Sequence, residues 1–193
     1  MKNDRDVSFH SQENRLGREP DAGVGRLWVG CSDSPVNPRG LESNPRGMIH
    51  TNLGNFALPS DMSFLASLKM AIDSFDALEI IVCGHYGCRA VEIAASGSRI
   101  EILGDWLAPL RSLHRDYARL HTVAGEPRSK ADALVESNVL EQMKNASRTS
   151  IVRDASASRR KLTIRGIVLD PATGRSSYVG NPIFEALKFS DGS

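Results

Sequence analysis

The sequence predicts an α/β domain with a mostly parallel central β-sheet flanked by helices. Three observations predict it. Short, apolar, strand-like runs occur at 26–31, 47–52, 78–83 and 161–169. Between the second and third lies an amphipathic stretch of helical period, which makes a strand–helix–strand unit and favours a parallel crossover. The chain has 193 residues, 40% apolar and 24% charged, which suits one well-buried domain rather than two.

Taken in order, residues 1–25 are polar, mixed in charge and glycine-bearing, and read as a flexible arm or short helix ahead of a single domain over 26–193. Leu27-Trp28-Val29-Gly30 forms the body of a first buried strand ending at Cys31. The tetrapeptide Asn-Pro-Arg-Gly occurs at 37–40 and again at 44–47; with no longer period around it, it reads as paired turns flanking a loop. A second strand covers 47–52. Ser60 and Asp61 are N-cap candidates for a helix with Met62, Leu65, Leu68, Ile72 and Phe75 on one face. The third strand covers 78–83, and two amphipathic helices follow at 100–121 and 130–148. The stretch 147–158, with Arg148 and Arg153 among its serines, reads as a solvated helix face. A fourth strand at 161–169 leads through Asp170-Pro171-Ala172-Thr173-Gly174, a turn, to a short extended run at 177–179.

Composition excludes several classes of function. A net charge of +1 with scattered basic residues offers nothing to nucleic acid. No apolar run approaches the roughly 18–20 residues of a membrane span. The N-terminus lacks both a signal-peptide core and the acid-poor bias of a transit peptide, so the expected location is cytoplasmic. Three cysteines, two of them in a metal-like pattern, point to a reducing compartment rather than a disulfide framework.

The chemistry concentrates at Cys31, His85 and Cys88. Two thiolates and one imidazole supply three of the four ligands of a tetrahedral zinc, with the fourth position left open. Each part of the set follows a strand-like run, where sites in parallel sheets are usually built. Asp33 is the one nearby candidate for a fourth protein ligand. A lone cysteine after a strand is more often an inert core residue, which is the reading for Cys83; the pairing with His85 favours ligation for the other two. His10, His50, His114 and His121 lack partners at ligand spacing, and Trp106, with Leu103, Leu107 and Leu110, reads as packing.

Cys31-Ser32-Asp33-Ser34-Pro35 followed by His85-Tyr86-Gly87-Cys88 resembles the β-class carbonic anhydrases, whose signature is Cys-x-Asp-x-Arg and then His-x-x-Cys about fifty residues later. Met48-Ile49-His50-Thr51-Asn52 with Asn55, the run 80–88, the segment 132–139 and the strand-like 162–168 are similar too, so the resemblance covers nearly everything after residue 25. It implies Zn²⁺ held by Cys31, His85 and Cys88, and reversible hydration of carbon dioxide to bicarbonate through a zinc-bound hydroxide. It also implies a homodimer or dimer of dimers with the sheet extended across the interface. Asp33 becomes the catalytic carboxylate: paired with the motif Arg it orients the hydroxide, and released from it it binds zinc and closes the site. In this chain Pro35 replaces that Arg. Arg89, Arg39 and Arg46 are the candidates to take its place, and the expectation is that Asp33 coordinates zinc at rest unless one of them does. Thr51 stands where the family commonly has Arg, and no equivalent of the family's upstream Gln is found in 21–25. These departures leave two alternatives open: another small substrate of the carbonyl sulfide or carbon disulfide type, or an inactive zinc-binding relic.

Overall fold

The structure, a computed structural model, describes residues 25–36, 47–74, 76–97, 101–120, 130–158 and 161–185. Its strands are β1 (Gly25–Cys31), β2 (Gly47–Asn52), β3 (Ala77–His85), β4 (Leu162–Asp170), β5 (Arg175–Tyr178) and β6 (Ile183–Glu185). The helices are α1 (Met62–Ser74), α2 (Arg89–Ser96), α3 (Glu101–Trp106), α4 (Ala108–Leu120), α5 (Lys130–Ser147) and α6 (Ser150–Ala157). The sheet order is β2-β1-β3-β4-β5, with β6 also on β4. The pairs β1–β2, β1–β3 and β3–β4 are parallel; β5 and β6 run antiparallel to β4. The predicted fold class is therefore the observed one, and the parallel core carries every strand that ends at the site.

Alternation along the strands explains the layering. Leu27, Val29, Ile80, Val82, Leu162, Ile164 and Val168 face the helices and build the main core with Phe64, Leu68, Leu110, Leu134, Val139 and Val152. Trp28, Ile81, Cys83, Ile167 and Leu169 pack together on the opposite face. Helix α5 crosses β3 and β4 at glycines because nothing larger fits. A Cβ on Gly84 would lie 2.8 Å from Val139 Cγ2, and one on Gly166 would lie 2.6 Å from Met143 Sδ and 2.7 Å from Val139 Cγ1. On the far side of the sheet, Glu79 accepts from Arg26 Nε at 2.8 Å and Arg165 Nε at 2.6 Å, so the buried carboxylate is paired on both oxygens.

Several helical details depart from expectation. Asp61 is the cap of α1, its Oδ1 accepting from Ser63 N at 2.9 Å. The buried stripe is Phe64, Leu68, Ala71 and Ile72, at i, i+4, i+7 and i+8. Met62, expected on that face, is 76% exposed. The helix expected over 100–121 is two helices, because Pro109 has no N–H to donate to the carbonyl four residues back and the turn breaks at Leu107. The stretch 147–158 is not a solvated face throughout: α6 is capped by Thr149 and buries Val152, Ala155 and Ser156. Helix α2 and strand β6 have no counterpart in the sequence reading. The arm at 1–25 lies outside the described residues, apart from Gly25, which already belongs to β1.

Candidate metal centre

Strand β1 brings Cys31 to the carboxyl end of the sheet, and the turn that follows, closed by Ser34 N donating to Cys31 O at 3.2 Å, returns Asp33 over it. Strand β3 continues two residues past its predicted end, so His85 is a strand residue paired with Leu169. Gly87, at φ 70°, turns the chain where a Cβ would be strained. Cys88 then sits at the N-cap of α2 without using its side chain as a cap, which leaves the sulfur free to face the site. Tyr86 N donates to Leu169 O at 2.9 Å and ties this turn to β4.

These constraints bring Cys31, Asp33, His85 and Cys88 together, with one donor atom from each lying within 4.8 Å of all the others. Asp33 Oδ1 lies 2.7 Å from Cys31 Sγ, 3.0 Å from His85 Nε2 and 3.5 Å from Cys88 Sγ. The two sulfurs are 3.6 Å apart. Two thiolates on one tetrahedral ion at about 2.3 Å each stand roughly 3.8 Å apart, so the sulfur pair has the spacing of a metal edge. The imidazole is aimed by its other nitrogen, Nδ1, which lies 3.2 Å from Tyr86 O. Two sulfurs, a nitrogen and an oxygen form a donor set that a borderline-soft tetrahedral cation accepts. The four residues can hold a metal ion.

The carboxylate of Asp33 is anchored at its second oxygen. The Arg89 backbone N–H, the first of helix α2, donates to Oδ2 at 2.8 Å. The guanidinium does not share this role: Arg89 is exposed, and its contact with Asp33 is through the peptide. Arg39 and Arg46 lie outside the described residues. Pro35 is exposed in the loop after Asp33, and Thr51 is exposed on β2 opposite Gly30.

Without metal the cluster is an ionic network. Burial opposes the charge on Asp33, but hydrogen bonds from His85 and Cys31, the charge of His85 and the Arg89 amide hold the carboxyl well below its usual range. Burial likewise disfavours a charged His85, and Asp33 and then Cys31 outweigh it, lifting the imidazole to about 9. The hydrogen bond with Cys88 lowers Cys31 to about 6 against its burial, with His85 assisting. Cys88 moves the other way, kept protonated by its bond to Cys31 and by burial. Burial pushes Cys83 up too; it lies on the far face of the sheet, as a core residue.

The structure adds supporting groups that the sequence reading did not single out. Gly54 N donates to Cys31 Sγ at 3.1 Å. Asn52 clasps Phe56, accepting from its N at 2.7 Å and donating to its O at 2.9 Å. From α5, Asn138 Nδ2 donates to Gly54 O at 2.8 Å, and Gln142 Oε1 accepts from Ala57 N at 3.0 Å. Buried polar residues on an otherwise apolar helix face were the available signal. His50 is buried against Phe64, with Nδ1 3.1 Å from Ser67 Oγ and Nε2 3.3 Å from Asn52 Nδ2, and stands outside the four-residue cluster.

A profile of the carbonic anhydrase family matches residues 26–176. A carbonic anhydrase of Candida albicans is 32% identical over 176 residues, 88% of this chain. The chain spans 59% of that protein's length. Among solved structures, a tetrameric β-carbonic anhydrase of Sordaria macrospora superposes with a TM-score of 0.74 at 26% identity, covering 83% of both chains. The β-carbonic anhydrase CafD of Aspergillus fumigatus, at 31% identity and a TM-score of 0.65, covers 90% of this chain and 97% of its own. The family match runs through every strand that carries the cluster, and the chain belongs to the β-class carbonic anhydrases.

Proposed function

We propose that this chain binds zinc through Cys31, His85 and Cys88 and catalyses the reversible hydration of carbon dioxide to bicarbonate, from a resting state in which Asp33 fills the fourth position. The observation that carries the resting state is the position of Asp33 Oδ1, within 3.5 Å of all three other donors. Zinc in such a site supplies the Lewis acidity that makes water a nucleophile near neutral pH. The protein's part is to clear that position and orient what enters it. Asp33 leaves the donor set by rotating about its anchor, Oδ2 on the Arg89 amide. Displaced, the carboxylate remains an acceptor facing the cluster, suited to hold a proton of the incoming water and aim its lone pair at carbon dioxide. His85 and the two cysteines stay fixed by β1, β3 and the N-terminus of α2.

The lack of a guanidinium at position 35 favours a second reading: a zinc-binding relic with four protein ligands and no turnover, its metal serving the fold. Stopped-flow hydration of carbon dioxide, on protein with one zinc per chain confirmed, separates the two. Zinc-dependent turnover supports the enzyme; its absence at full occupancy refutes it. We further place the protein in the cytoplasm as a homodimer or dimer of dimers. Strand β2 is an edge of the sheet among the described residues and offers a pairing surface, and no described helix is long and apolar enough to cross a membrane. Light scattering in solution tests the assembly.

A further inference from the structure

We infer that Trp106 is a positioning residue for the metal, acting on the Cys31 sulfur through the single peptide that joins Leu53 to Gly54. The inference rests on Cys31 being a ligand. The two ends of that peptide are both engaged. Trp106 Nε1–H donates to Leu53 O at 2.8 Å, and the N–H of the same peptide, on Gly54, donates to Cys31 Sγ at 3.1 Å. A donor on the carbonyl polarises the amide and strengthens the hydrogen bond that its N–H gives. The indole therefore supports negative charge on a sulfur it does not touch. It also fixes the peptide plane, since rotating the N–H away from Cys31 breaks the bond to Trp106 as well.

The rest of the loop is built to hold this geometry. Gly54 has φ +88°, a conformation that a side chain would strain, and its own carbonyl is held by Asn138. The Trp106 ring packs edge-on against Phe56, centroids 5.6 Å apart. The helix break at Leu107 ends α3 at this residue, so the tryptophan belongs to the site's support as well as to the packing. Groups that hydrogen-bond to a ligand typically set metal affinity within about ten- to a hundredfold.

The test replaces tryptophan with its benzothienyl analogue during expression of the full chain. This keeps the ring shape and removes only the N–H. The chain has two tryptophans, and Trp28 Nε1 has no hydrogen-bond partner among the described residues, so among them the exchange deletes one working donor. Zinc affinity is measured by competition with a chromophoric chelator, and the thiolate-to-metal charge-transfer band is recorded with cobalt(II) in place of zinc. The expected result is about tenfold weaker zinc binding and a shifted band. Trp106→Phe is the genetic counterpart and should give the same shift. Unchanged affinity and band, in a labelled chain whose wild type binds zinc, overturn the inference alone. A wild-type chain that binds no zinc overturns the metal reading and this inference with it.

Discussion

Loading zinc into the metal-free chain should release a number of protons that steps with pH. Binding requires both thiols ionised and His85 neutral at the ligating nitrogen. In the metal-free cluster Cys31 ionises at about 6, Cys88 stays protonated and His85 keeps its proton up to about 9. Below pH 6 all three protons must leave, so release approaches three per zinc. Between 6 and 9 Cys31 is already ionised and about two leave; above 9 only the Cys88 proton remains, and about one leaves. Affinity rises with pH accordingly, roughly a hundredfold per pH unit in the middle window. Calorimetric titration with zinc in buffers of differing ionisation enthalpy counts the protons directly. Asp33→Asn provides the control. Asp33 is the main influence lifting His85, so its loss must move the step from two to one toward lower pH. A count near one at pH 7.5, unchanged up to pH 9, would show His85 already neutral and refute the ionic network.

Asp33, His85 and Cys31 together set the acid–base stability of the metal-free fold. His85 is raised from 6.5 to about 9, so its contribution is whole below pH 6.5 and lost as pH rises through 9. Asp33 is depressed, so its share is present above 3.8 and lost as pH falls toward its folded value. Cys31 is depressed to about 6, so its share is absent at low pH and builds up between 6 and 9, where it offsets the loss from His85. Urea unfolding should find wild type nearly flat from pH 6.5 to 9, and Asp33→Asn, with His85 no longer lifted, gaining stability over that range. Pro35→Arg should raise carbon dioxide hydration about tenfold at equal zinc content, because a charge-assisted hydrogen bond contributes about 1.5–3 kcal/mol to holding Asp33 off the metal; no gain in stopped flow counts against gating. Gly166→Ala forces a Cβ against Met143 and Val139 and should cost about 1–3 kcal/mol, seen as a Tm lowered by roughly 2–12 °C, with zinc content unchanged.

The strands of the parallel core were legible because each is a short, apolar, strand-like run, and their errors are a residue or two at the ends. The four cluster residues were legible as side-chain types at motif spacing. What was not legible follows from what side chains alone reveal. The partner of Asp33 and the donor to Cys31 are backbone amides, of Arg89 and Gly54, and any residue type carries an amide. Helix α2 is eight residues long, too short for its periodicity to stand out, though Gly97 at φ 70° marks its end. Trp106 sits among leucines at helical spacing, so packing was the natural reading until the fold placed its N–H on Leu53. In α1 a large apolar residue in the first turn drew the stripe to Met62, when the face that meets the core begins at Phe64.

The energetic consequence of Pro35 can be bounded from these contacts. In the proposed closed form Asp33 would join two thiolates around one dication, leaving a net negative charge in a largely buried site. Released, it keeps the helix-terminal amide of Arg89, which holds Oδ2 in the closed arrangement as well and so cancels, and it gains only solvent, which reaches a side chain still 20% exposed. A charge-assisted bond to guanidinium would add about 1.5–3 kcal/mol to the released form alone. Its absence therefore favours the closed form by about 1.5–3 kcal/mol, a factor of roughly 10–150 in the fraction open. A shift of that size slows an enzyme without abolishing it. If instead the protein is wholly inactive at full zinc occupancy, the loss must come from somewhere other than the gate, and restoring the arginine will not recover it.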